Sequence, residues 1–377
     1  MSLVAALAAL AAWIYLLVGR GGFWRASERD DAGVAPEPAV WPAIIAVVPA
    51  RNEADVVGQA ITSLRNQDYP GPFRIILVDD NSEDGTAEAA RAARGVHPVE
   101  VIGGAPLAEG WTGKLWAQSQ GVAAAAHGAP DYLWLTDADI FHKSGTLRAL
   151  TARAEAGDLA LTSLMVRLTV RTGTERLLIP AFVFFFQMLF PFAWVNDPAR
   201  RTAAAAGGCM LVRREALERA GGLGAIRGEI IDDCALGALM KRQGPIWLGL
   251  TSRSQSLRPY AGLGEIARMV ARSAYAQLGY SPLMLVGTLA GMAIVFAVPA
   301  LLTLLAHGPA RWLGLASWLI MGFAVQPILR LYRLWGLWGA ALPLAGTLYG
   351  AFTLWSAVLT WQGRGGEWKG RLQGSPA

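Results

Sequence analysis

An α/β domain on an open parallel sheet, framed by membrane-crossing helices, is the fold this 377-residue sequence predicts. Three observations carry the prediction. First, two apolar runs rich in Ile, Val and Leu end in acidic residues: Phe73–Val78 in Asp79-Asp80, and Tyr132–Thr136 in Asp137-Ala138-Asp139. Ligands of open parallel sheets sit at the carboxyl ends of the strands. Second, strand-like and helix-like segments alternate as β-α-β-α-β, the order of right-handed parallel crossovers. Third, the chain is 54% hydrophobic and 16% charged, with its apolar residues gathered at the two ends. That is too apolar for a purely water-soluble protein.

Residues 2–19 carry no charge and form an expected N-terminal transmembrane anchor. No basic region precedes them and no small-residue cleavage site follows, which argues against a secretory signal. Arg20, Arg25 and Arg29 follow instead, so the positive-inside rule places the next domain in the cytosol of a bacterial-type inner membrane. Residues 20–39 read as a linker. Leu283–Ala306, Trp312–Leu329 and Leu334–Trp361 are uncharged, and each is long enough or nearly so to cross a hydrocarbon core of about 30 Å. Residues 283–361 are therefore expected to be C-terminal membrane segments in a multi-pass protein, followed by a basic tail over 362–377. Three full crossings would put that tail on the far side against the charge rule, which leaves a re-entrant stretch open.

Within the expected soluble domain, residues 40–275, the first strand is Ala43–Val48 and ends in Pro49-Ala50-Arg51-Asn52-Glu53. A helix over Val56–Asn66, a turn at Tyr69-Pro70-Gly71-Pro72 and the strand 73–78 follow. Asp84-Gly85-Thr86 opens an Ala-rich helix, a short strand spans Val99–Ile102, and a Gly-rich loop runs from Gly103 to Gly113. Lys114 then starts another helix before the strand that delivers Asp137 and Asp139. Two carboxylates one residue apart suit a hard divalent cation, and such a cation suits a diphosphate. A further acidic cluster lies at Glu229-Ile230-Ile231-Asp232-Asp233, ahead of an expected helix over Cys234–Arg242. Cys209 and Cys234 read as small buried hydrophobes in a reducing compartment. The net charge of +5 reads as contact with anionic lipid, since no nucleic-acid motif accompanies the basic residues.

Taken in order, Pro49-Ala50-Arg51-Asn52-Glu53, Val78 to Thr86, Asp137-Ala138-Asp139, Gly207-Gly208 to Arg214 and Asp232-Asp233 resemble a family 2 glycosyltransferase of the GT-A fold, over residues 43–275. Within that family the chain is similar to the hopanoid-biosynthesis-associated branch. That closer likeness rests on Gly110-Trp111-Thr112-Gly113-Lys114, on Thr136 to His142, and on Glu367 to Arg371. The resemblance implies a nucleotide-diphosphate sugar donor, UDP-linked, and a divalent cation, Mg or Mn. It implies a donor pocket at Pro49, Arg51, Glu53, Asp79, Asp80, Lys114 and Asp137, with uracil and ribose near Glu53 and Asp80. Asp137 and Asp139 would take the ribose edge and the cation, Asp139 as the direct ligand. Asp233 would be the general base, with Asp232 beside it.

Two departures matter. The family's Glu-Asp is Asp232-Asp233 here, which keeps the base. The processive branch's Gln-x-x-Arg-Trp corresponds to Met269-Val270-Ala271-Arg272-Ser273, lacking the Gln and Trp. Arg272 remains, with Arg268 one turn earlier, and both are expected to meet the departing diphosphate. Transfer of one sugar is therefore expected; a processive polysaccharide synthase and an inactive nucleotide-binding scaffold are the alternatives. The apolar stretch 179–195 is interrupted by Pro191 and is expected to lie at the lipid interface, with a membrane lipid as acceptor.

Overall fold

The computed structural model describes residues 2–33, 35–368 and 371–372. The expected basic tail falls partly outside them, since 369–370 and 373–377 are not described. The chain forms two compact units. One gathers residues 1–27, 169–193 and 259–366 and is helical; the other gathers 28–168, 194–258 and 367–377 and holds the sheet.

In the sheet unit, eight strands lie in the order β3-β2-β1-β4-β7-β6-β8-β5. They are β1 Ile44–Ala50, β2 Phe73–Asp79, β3 Val99–Gly103, β4 Tyr132–Leu135, β5 Ile140–His142, β6 Leu161–Arg167, β7 Met210–Arg213 and β8 Ile246–Ser256. The first four in chain order pair in parallel, as the β-α-β alternation predicts. All seven residues of β1 are buried, which is why this strand reads as a continuous apolar run. Its register sets Ala50 beside Asp79 and Val47 beside Leu135, so three strand ends face one edge.

The other half corrects the expectation of a parallel sheet. β7 is antiparallel to both β4 and β6, β8 is parallel to β6, and β5 is antiparallel to β8. After β6 the chain crosses into the helical unit and returns before β7, so no crossover helix forces a parallel return. The reversal has a use. It sets the start of β7 beside the end of β4, with Met210 opposite Leu135, and so carries Gly207-Gly208 to the Asp137 turn.

The helical unit contains three helical segments long and apolar enough to cross a membrane: Pro282–Leu305, Pro309–Leu331 and Gly336–Trp361, of 24, 23 and 26 residues. Ser2–Val18 is apolar and 17 residues long. Leu283, Leu304, Leu305, Trp312, Trp335 and Trp361 are exposed on this unit, a surface suited to hydrocarbon and its interface. The stretch expected at the lipid interface forms a helix over Gly173–Leu189 and a short one over Phe192–Asn196. The first is packed inside the helical unit. Phe184 is fully buried against Phe23 and Phe185, and the Phe185 ring meets Phe296 and Tyr349. Thr172 and Glu175 close its first turn as a capping box, and Glu175 also accepts from the Tyr260 amide at 2.9 Å.

Candidate active site

The ends of β1 and β2 are laced together before they meet any carboxylate of the acidic turn. The Asn52 amide donates to Ser82 Oγ (3.0 Å), the Glu83 amide to Asn52 Oδ1 (3.0 Å), and the Ala54 amide to Asp84 Oδ2 (3.0 Å). Asn52 and Asn81 take positive φ, which their short polar side chains tolerate. Asp84 also accepts from the Thr86 amide, so this residue holds the turn together. Arg51 donates to the Asp80 carbonyl at 2.6 Å, Asp80 is buried, and Asp79 Oδ1 accepts from the Ser82 amide. Pro49 is buried within β1, in register with Val78. This loop pair is a stiff wall at the carboxyl edge of the sheet.

The Asp137–Asp139 turn sits beside it. Thr136 Oγ1 donates to the Gly208 carbonyl at 2.8 Å and also meets His142 Nε2 at 2.9 Å, while His142 Nδ1 meets Ser254 Oγ at 2.8 Å. Burial pushes His142 down to about 3, so the ring is neutral, and with both nitrogens engaged by Thr136 and Ser254 it braces the turn. Asp139 Oδ2 accepts from Ser256 Oγ at 3.3 Å and lies 3.8 Å from Arg258 Nε. The same guanidinium pairs with Glu53. Burial, then the charges of Asp137 and Glu53, push the Asp139 carboxyl up to about 6 against the pull of Arg258 and Ser256.

Lys114, in the first turn of the helix Gly113–Ala125, joins the two acidic clusters. Its Nζ lies 2.9 Å from Asp137 Oδ1 and 3.1 Å from Asp232 Oδ2. Burial lowers its affinity for the proton, but Asp137, Asp232 and Asp233 together outweigh that and leave it firmly charged. Asp232 and Asp233 open the helix Asp232–Lys241, where a helix N-terminus favours negative charge. Asp233 Oδ2 accepts from the Gly207 amide at 3.0 Å and Oδ1 from the Cys234 amide at 2.7 Å. Burial first, then Asp232, push its carboxyl up to about 6, opposed by Lys114 and the two amides. Glycines permit this approach: a Cβ on Gly207 would lie 3.2 Å from Lys114 Nζ, and one on Gly237 would meet the Ala204 backbone at 2.7 Å.

The sheet unit thus gathers Glu53, Lys114, Asp137, Asp139, Asp232 and Asp233, and it adds Arg258, which sequence reasoning missed. Arg268 and Arg272 belong to the helical unit. They lie one turn apart at the helix Leu263–Ala271, Arg272 as its C-cap, with both side chains exposed. Among the described residues no three His, Cys, Asp or Glu side chains form a ready metal cage. The donor set still fits a divalent cation that enters with a diphosphate, since Mg²⁺-like sites use one or two carboxylates and complete their shell with phosphate oxygens and water. The charge balance points the same way. Glu53, Asp137, Asp139, Asp232 and Asp233 are bridged by two protein cations, Lys114 and Arg258, so a diphosphate alone would be repelled.

An acidic strand-end site on a half-parallel, half-mixed sheet lies where α/β folds bind their ligands. Residues 45–221 match the family described as "Glycosyl transferase family 2", and that stretch is a domain of that family. No curated protein matches it. Among solved structures it is similar to the Pyrobaculum calidifontis mannosyltransferase PcManGT, in complex with GDP-Man and Mn2+. That likeness has a TM-score of 0.56 at 19% identity, over 95% of this chain and 98% of that one. S. aureus TarS 1–349 with UDP-GlcNAc gives 0.42 at 14% identity, over 87% and 95%. Glucosyl-3-phosphoglycerate synthase from Mycobacterium tuberculosis, with Mn2+, UDP-Glc and phosphoglyceric acid, gives 0.41 at 21%, over 63% and 79%. The first of these carries the GT-A-like fold. The chain is a glycosyltransferase.

Proposed function

We propose that the protein is a membrane-bound, inverting, non-processive glycosyltransferase that moves one sugar from a nucleotide-diphosphate donor, UDP-linked, to a membrane lipid. The observation that carries the reading is Asp233, a half-buried carboxylate fixed by the Gly207 and Cys234 amides and raised toward neutrality beside Asp232. A base for an acceptor hydroxyl needs that combination of fixed geometry and a pKa near the working pH. In the step we infer, the hydroxyl gives its proton to Asp233 and its oxygen bonds to the anomeric carbon from the face opposite the diphosphate. The carbon–oxygen bond to the diphosphate breaks, and the nucleoside diphosphate keeps the electron pair. A single displacement of this kind inverts the anomeric centre.

Asp139, with Asp137, is the proposed seat of a divalent cation, which would supply Lewis-acid neutralisation of the departing diphosphate. The wall made by Arg51, Glu53, Asp79, Asp80 and Pro49 is the proposed nucleotide pocket. Lys114 holds the donor side and the base side in one charge network. Arg268 and Arg272 are kept as proposed diphosphate contacts on the strength of their chemistry.

The lipid acceptor rests on connectivity. The chain passes between the sheet unit and the helical unit after Ser27, Leu168, Ala193 and Arg258, so the catalytic unit is tethered several times to helices fit for a bilayer. An enzyme so tethered meets lipid hydroxyls without moving an apolar chain into water at about 0.8 kcal/mol per CH₂. A catalytic face in the cytosol and a hopanoid or polyisoprenoid acceptor remain part of the proposal. Mass spectrometry of lipids from cells with and without the protein tests it: a glycolipid carrying one added sugar is expected to vanish. Unchanged lipids, or loss of a polymer instead, would count against it.

A further inference from the structure

We infer that Arg258 is a displaceable counter-ion that makes cation binding depend on the nucleotide. This rests on the proposed cation site at Asp139. The guanidinium stands between two carboxylates of different roles, pairing with Glu53 of the nucleotide wall and lying 3.8 Å from Asp139 Oδ2. Glu53 and Asp139 side chains are 11% and 21% exposed, so a charge on either is costly without a partner. Arg258 itself is 38% exposed, two residues beyond the strand Ile246–Ser256. Its partners are far apart in sequence, and only a planar, forked cation spans both.

A divalent cation and this guanidinium compete for Asp139. A bare cation must displace Arg258 and leave it facing only Glu53 and the nearby charge of Asp55. A cation arriving with a diphosphate brings new anionic oxygens, and a guanidinium binds such oxygens through two donors. Arg258 then exchanges one set of acceptors for another. The cost of displacement is met only when the nucleotide is present, and that is a coupling free energy between cation and nucleotide. Arg258 is thereby a positioning residue for the diphosphate, separate from Arg268 and Arg272 of the helical unit.

The test measures Mn²⁺ binding by electron paramagnetic resonance on the full-length protein in detergent, with no nucleotide and with saturating UDP or GDP in separate arms. The wild-type chain is expected to bind Mn²⁺ weakly alone and roughly tenfold or more tightly with its nucleotide, within the usual range for coupled sites. Arg258→Gln should tighten binding of Mn²⁺ alone and shrink the nucleotide's enhancement. Arg258→Lys keeps the charge but loses the fork, so it should shift both quantities in the same direction by less. Circular dichroism and thermal melting establish that each variant is folded, and the lysine variant carries the test if the glutamine variant is not. Unchanged or weaker binding of Mn²⁺ alone in the folded variants overturns the inference. Absence of Mn²⁺ binding by every chain, with and without nucleotide, overturns the cation site and this inference with it.

Discussion

The two acidic turns of the sheet unit, Asp137–Asp139 and Asp232–Asp233, present carboxyls pushed up to the same value, about 6, by different surroundings. Around Asp139 the opposing groups are side chains, the half-exposed Arg258 guanidinium and the Ser256 hydroxyl. Around Asp233 they are two backbone amides and a lysine anchored on a neighbouring helix. A carboxylate held by exchangeable side chains suits a ligand that comes and goes. One held by the backbone suits a base that must stay where the proton will be. Similarly raised carboxyls are therefore compatible with the unequal roles proposed for them, and what separates them is the kind of partner that opposes the shift.

That contrast can be broken most sharply at Asp139. Asp139→Ala should abolish cation-dependent donor binding, measured by calorimetry with nucleotide sugar and Mn²⁺, while thermal melting shows the fold intact. Donor affinity equal to wild type, and equal in chelator, would refute the division. Lys114→Met comes next, since it removes the charge shared by Asp137 and Asp232 and leaves two carboxylates uncompensated. Its expected cost is roughly thirtyfold in kcat/KM, the lower end for truncating one partner of a buried charge pair. A change under threefold would mean that the two turns do not communicate through it.

The smallest expected effect is the most diagnostic for the second turn. Asp233 acts as a base only when ionised and its carboxyl is raised to about 6, so turnover should be flat above that pH and fall about tenfold per unit below it. Asp232 raises the Asp233 carboxyl through its charge. Asp232→Asn should then move the acid limb to lower pH with only a mild loss near pH 7.5. An acid limb that moves upward would reverse the sign of the coupling.

Much of this arrangement is legible in the amino-acid order, for a physical reason. The parallel half of the sheet is built from adjacent β-α-β units, so its strands, its turns and the acidic residues that end them follow one another locally. Lys114, Asp137, Asp139, Asp232 and Asp233 stand out because each lies at an element boundary, where charge replaces an apolar run. The mixed half is not legible in the same way. β6 and β7 are separated by a passage through the helical unit, and no local pattern records that β7 returns beside β4. Arg258 escapes for the same reason, because its pairing with Glu53 spans 205 residues and no motif surrounds it. The arginine just before Pro259, at the close of a long strand, is the only trace it leaves.

Phe184 teaches the converse. Its stretch reads as a lipid-facing helix because it is almost wholly apolar, yet the side chain is fully buried among other aromatics of the helical unit. Apolar composition alone does not separate a lipid-facing surface from an interior one. A polar substitution there would report on folding before it reported on an acceptor.

The central claim is that Asp233 takes the acceptor's proton from a position fixed by the backbone. The most direct measurement compares Asp233→Asn with wild type in two assays on the same preparation, donor binding by calorimetry and transfer under single-turnover conditions. The isosteric amide removes the base with little change of shape, so donor affinity should stay within about twofold while transfer falls about a hundredfold or more. Transfer at the wild-type rate, or a loss matched by an equal loss of donor affinity, would contradict the assignment.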